Sequence, residues 1–85
     1  MRTFIVTKDN TDYARTVTDW MRDFSRQTGK VLEVVDPESP SGLATCSAYD
    51  IVEYPTVVAV DDNGALQLMW RGLPLPTISE VSYYA

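Results

Sequence analysis

The chain has 85 residues, enough for one domain that buries only about 60–65% of the surface its unfolded form exposes, so its stability margin is thin. Apolar residues make up 45% and charged residues 22%, which supplies a core and sets the chain apart from disordered and fibrous sequences. The net charge of −5, with no cluster of lysines or arginines, argues against a nucleic-acid partner, because phosphate backbones require several cations on one face.

With no histidine and a single cysteine, Cys46, a zinc site would fall to carboxylates alone, which is not zinc's ligand set. No metal and no other cofactor is expected. A lone cysteine also excludes an internal disulfide, and a small domain that holds together without one suits a reducing interior, so the expected compartment is the cytoplasm. No stretch approaches the roughly 20 apolar residues of a membrane span, and the N-terminus lacks the charged-then-apolar pattern of a targeting leader. No membrane partner is expected.

Thr3-Phe4-Ile5-Val6-Thr7 is a β-branched and aromatic run that predicts a buried, central strand. Asp9, Asn10 and Thr11 then offer helix-capping side chains. Tyr13, Val17, Trp20, Met21 and Phe24 recur every three or four residues, one apolar stripe on a long helix. Arg15, Asp19, Arg22, Asp23 and Arg26 fill its other face, and Gly29 ends it. Val31-Leu32-Glu33-Val34-Val35 reads as a second strand, buried on both faces.

Residues 36–42 form a Pro- and Ser-rich loop in which Ser39 is placed to cap a second helix and Pro40 to be its first residue, the helix running to about Tyr49. Pro55 opens a third strand, Thr56-Val57-Val58-Ala59-Val60, which turns through Asp62-Asn63-Gly64 into a fourth. There Leu66, Leu68 and Trp70 alternate with Gln67, Met69 and Arg71, a period of two that predicts one wetter face. Gly72 and two prolines end this strand, and Thr77-Ile78-Ser79-Glu80 matches a capping box ahead of a last helix of about two turns. The order is β-α-β-α-β-β-α without repeat or linker, a single domain over residues 1–85. Right-handed crossovers place helices on both faces of a four-stranded mixed sheet.

The strand opening on Tyr54-Pro55-Thr56 after a short helix, and turning through Asp62-Asn63-Gly64, resembles the proline loop and hairpin of the thioredoxin and glutaredoxin superfamily. The resemblance spans nearly the whole chain and implies a thioredoxin-like three-layer α/β/α sandwich with a cis bond before Pro55. In glutaredoxins the first strand leads through a lysine to Cys-Pro-Tyr-Cys at the start of the first helix. Here Thr7-Lys8-Asp9-Asn10 leads to Thr11-Asp12-Tyr13-Ala14, so the lysine and the tyrosine match and both cysteines are missing.

Thiol chemistry needs a stabilised thiolate and a second thiol to resolve the mixed disulfide. Thr11 and Ala14 supply neither, and Asp9 and Asp12 would oppose an anion. Their plain reading is helix capping, each interaction being worth on the order of 0.5–1 kcal/mol.

The resemblance also implies that Tyr54, preceding Pro55, offers its backbone to an extended peptide or to glutathione. Gly72 is followed by Leu73-Pro74, not by the Cys-Asp type of pair that holds glutathione's γ-glutamyl end, so glutathione is not expected to bind. Lys8 is then the one matched polar contact, and its plain reading is a solvated charge. Trp70, followed by Arg71, reads first as a core residue and second as an anchor for a partner protein.

Two readings of function follow. One is a redox-silent adaptor that binds a protein or peptide in the groove among Lys8, Tyr13, Tyr54, Pro55, Thr56 and Gly72. The other is a divergent glutaredoxin-like thiol-disulfide oxidoreductase, an electron carrier using Cys46 or a partner's cysteine. Cys46, with Leu43 and Ala44 nearby on the second helix, reads as a buried small hydrophobe.

Overall fold

The computed structural model describes residues 1–85 as four strands and three helices: β1 (Arg2–Val6), α1 (Ala14–Thr28), β2 (Glu33–Val35), α2 (Pro40–Tyr49), β3 (Thr56–Val60), β4 (Leu66–Arg71) and α3 (Ile78–Tyr84). The sheet order is β2-β1-β3-β4, with β1 parallel to β2 and antiparallel to β3, and β3 antiparallel to β4. The fold is α/β, a mixed sheet with one helical layer on each face.

Alternation along the central strands builds two cores, because successive side chains of a strand point to opposite faces. Phe4, Val6, Val58 and Val60 pack with Cys46 and Ile51 on the α2 face. Ile5 and Val57 pack with Val17, Phe24, Leu32 and Val81 on the face shared by α1 and α3. Every residue of β3 is buried, since β1 and β4 flank it and helices cover both its faces. Phe24 is buried in its cluster and stacks on Trp20 at 5.3 Å, while the Trp20 indole N–H donates to the Pro76 carbonyl at 2.9 Å. That bond ties α1 to the segment entering α3.

The α2 start follows the predicted chemistry. Ser39 caps it, accepting from the Gly42 N–H at 3.0 Å, and Pro40 occupies its first position. A side chain at Gly42 would place its Cβ 1.7 Å from the Asp36 carbonyl oxygen, so the loop closes on the helix only with glycine there. Thr77 and Glu80 form the capping box of α3.

Three local expectations differ. The strand predicted over Val31–Val35 shrinks to Glu33–Val35 and lies at the sheet edge, where Val31 is 79% and Val34 56% exposed. A β-branched run reports strand propensity; the number of neighbouring strands is set by topology, and here only Leu32 reaches the core. On β4, at the other sheet edge, Leu66 and Leu68 are exposed, and a register shift between them, opposite Ala59 and Val60, interrupts the alternation. Helix α1 begins at Ala14, later than the side chains proposed to cap it. Asn10 takes the left-handed conformation at φ 56, the Thr11 hydroxyl donates back to the Lys8 carbonyl, and the N-cap Tyr13 makes no side-chain cap. No helix is long and apolar enough to cross a membrane.

Candidate functional site

The loop between α2 and β3 and the end of β4 meet at one end of the sheet. The Gly72 N–H donates to the Pro55 carbonyl at 2.9 Å, and the Thr56 hydroxyl donates to the Glu53 carbonyl at 2.6 Å. These bonds fix Pro55 and Thr56, both buried, against Gly72, which is in the left-handed region at φ 68. A Cβ at position 72 would come within 3.0 Å of a Glu53 carboxylate oxygen, so glycine suits both the conformation and the space. The Tyr54–Pro55 and Leu73–Pro74 peptide bonds are cis.

Tyr54 makes no main-chain hydrogen bond of its own, so its N–H and C=O stand free beside the first residue of β3. Its ring is half-buried on the Cys46 cluster, and the Lys8 ammonium lies 5.0 Å from the ring centroid. A cation over an aromatic face at an exposed site is worth about 0.5–1 kcal/mol. Lys8 also reaches Glu38 at 3.7 Å, a surface pair that adds little. The Tyr54 phenol is raised above the ordinary tyrosine value, first by burial and then by the Cys46 thiol and by Tyr13. Tyr54, Lys8 and Cys46 therefore share one neighbourhood, while Tyr13 packs against the core cluster of the other face. Val52 and Leu73, 74% and 54% exposed, stand beside the loop as apolar rim.

Thr11-Asp12-Tyr13-Ala14 forms a turn ahead of α1, not the first helical turn. The Ala14 N–H donates to the Thr11 carbonyl at 3.2 Å, and the Val17 N–H to the Tyr13 carbonyl at 3.1 Å. Capping by Asp9, Asn10 and Thr11 is thus replaced by a backbone turn. Ala14 lines a cleft of 140 Å³ with Thr7, Lys8, Asp9, Val17, Thr18, Met21 and Val34, beside β2. None of Tyr54, Pro55, Thr56 or Gly72 lines it. The cleft meets the surroundings of the proline loop only through Lys8.

Cys46 is 8% exposed. Its burial comes from Phe4, Val6, Ile51, Val58 and Val60, not from Leu43, which points outward and is 60% exposed. Trp70 is half-buried against α3, edge-on to Tyr84 at 5.8 Å, and belongs to the core. Sequence reasoning missed the contact of Lys8 with Tyr54 and the part played by Glu53. The signal for the first was weak: 46 residues separate the two, and only the chain's passage through β2 and α2 brings them together.

This sheet order, these two helical layers and a proline loop latched to the final strand define a thioredoxin-like fold. The solved structure of thioredoxin 1 from the thermophilic eubacterium Thermosipho africanus TCF52B superposes with a TM-score of 0.66, covering 99% of this chain and 89% of that one at 15% identity. At that identity the likeness speaks for the fold. No protein-family model matches the chain, and no curated protein sequence matches it.

Proposed function

We propose that the chain is a redox-inactive thioredoxin-like protein that binds an extended protein or peptide segment along its proline loop. The observation that carries this reading is the free backbone of Tyr54. A main-chain donor and acceptor, held rigid by the Gly72–Pro55 bond, can pair with an incoming strand, as exposed strand edges do in β-augmentation. The exposed Val52 and Leu73 supply apolar contact at either side, and the Lys8-roofed ring of Tyr54 supplies a rigid aromatic wall.

Thr11 and Ala14, where a redox pair would stand, offer no thiol, and Cys46 is held within the apolar α2-face cluster. A single buried cysteine also favours a reducing compartment such as the cytoplasm. Insulin reduction in the presence of dithiothreitol tests the redox half of the proposal. The native protein should accelerate it no more than a Cys46→Ser variant does. Acceleration that disappears in Cys46→Ser would instead establish the thiol-disulfide oxidoreductase.

A further inference from the structure

The two edges of the sheet are not equivalent. Edge strands in soluble proteins are commonly blunted by charge, proline or a bulge, because a row of unpaired backbone groups recruits another strand. Strand β4 is blunted in this way by its register shift opposite Ala59 and Val60 and by Arg71 at its end. Strand β2 is short, three residues, but has neither proline nor bulge, and Val34 on it and Val31 just before it leave β-branched apolar surface in solvent. The charge on this strand is cancelled locally: Glu33 is held by Arg2 through two bonds of 2.9 Å.

Backbone direction determines which groups are free. The Thr7 N–H donates to the Val35 carbonyl, so Val35 and Glu33 point their backbone groups at β1 and Val34 points its own away from the sheet; the same alternation carried two residues back turns Leu32 outward. We propose that this edge pairs with the same edge of a second copy, antiparallel about a two-fold axis through Glu33, joining two four-stranded sheets into one of eight. Among antiparallel registers, this one puts each outward-pointing residue opposite a suitable partner. Leu32 faces Val34 of the second copy, Val31 faces Val35, and Lys30 faces Asp36. Shifting the axis to Val34 would set Leu32 against Asp36 and Val31 against Pro37, which has no N–H to give. Shifting it to Leu32 would set Lys30 against Val34 and Glu33 against Val31. In the chosen register the only like-charged pair is Glu33 with its own copy, and Arg2 of each chain neutralises it. The association is isologous and closes as a dimer.

Sedimentation equilibrium of the full chain, from micromolar to millimolar concentration, reads the result. The expected behaviour is a reversible rise from 9.5 kDa to twice that mass. A particle of 9.5 kDa at every concentration would overturn the proposal. Val34→Pro removes the outward N–H and leaves the bonds to β1 intact, a position where edge strands tolerate proline. It should weaken association by about tenfold or more, through two hydrogen bonds lost per dimer. Leu68→Lys on β4 should leave association unchanged; the opposite pattern would assign the dimer to the other edge and refute this one.

Lys30→Glu and Asp36→Lys should each weaken the dimer by about threefold, and the double variant should recover it. Single variants as tight as the native protein would refute the register. Should Val34→Pro fail to fold, as far-UV circular dichroism would reveal, amide exchange of the native chain decides. Exchange at Leu32 and Val34 slows with concentration if the proposal holds, and stays fast in a dimer formed elsewhere.

Discussion

Gly72→Ala tests whether the proline loop is latched as described. An L-residue in the left-handed region costs about 1–2 kcal/mol. Alanine also stiffens the unfolded chain, which returns roughly 0.4–1 kcal/mol. The new Cβ would stand 3.0 Å from a Glu53 carboxylate oxygen, but that atom is the end of a flexible side chain and can swing away. The net loss should therefore be about 1 kcal/mol, which in a domain of this size lowers the midpoint of thermal unfolding by roughly 4–8 °C. Urea unfolding followed by tryptophan fluorescence measures it, with Trp70 only two residues from the change. Adding Glu53→Ala to Gly72→Ala should recover little, because the backbone conformation and not the carboxylate contact sets the cost. A Gly72→Ala protein as stable as the native one, or one fully restored by Glu53→Ala, would refute the reasoning.

Four further outcomes are expected. Thr11→Cys/Ala14→Cys should form an intramolecular disulfide under oxidising conditions, because the Ala14 N–H to Thr11 carbonyl bond closes a turn whose ends lie within disulfide reach; a thiol count that stays at three after oxidation counts against this placement. Cys46 should react slowly with Ellman's reagent in the folded protein and at once in urea, and fast labelling of the native state would contradict its burial. Tyr54 should ionise above the ordinary tyrosine range, so the stability held by its neutral phenol is complete below the unfolded value and lost as pH rises through the folded one; absorbance titration of native protein against Tyr54→Phe should show the late-ionising tyrosine missing from the variant. Glu80 is lowered by its bonds to the Thr77 hydroxyl and backbone, so its contribution is present above the unfolded glutamate value and lost as pH falls through the folded one; in Thr77→Ala the acid limb of a stability-pH profile should flatten.

Much of this fold is legible in the sequence because local signals and topology agree. Ser39-Pro40 and Thr77-Ile78-Ser79-Glu80 announce helix starts through side chains that bond only to groups a few residues away. The continuous run Thr56–Val60 announces a strand buried on both faces, and it is. The failures occur where neighbours decide. Val31 and Val34 look like core residues, but nothing in their own chemistry says that β2 has no strand beyond it. Asp9, Asn10 and Thr11 are good capping residues, but Asn10 also tolerates the left-handed conformation, and a turn through it leaves all three ahead of α1, with the Thr11 hydroxyl bonded back to the Lys8 carbonyl. For the candidate site, Tyr54, Pro55, Thr56 and Gly72 were readable from the resemblance, whereas the seat of Lys8 over Tyr54 depends on two crossovers.

The most direct test of the proposed function is to select random extended peptides displayed on phage against the native protein and map the enriched ones by amide chemical shifts. The account predicts shifts centred on Tyr13, Tyr54, Thr56 and Gly72, with a new bond at the Tyr54 N–H and binding weakened by Gly72→Ala. Enriched peptides whose shifts centre instead on Thr18, Met21 and Val34 around the cleft, or no enrichment at all, would contradict it.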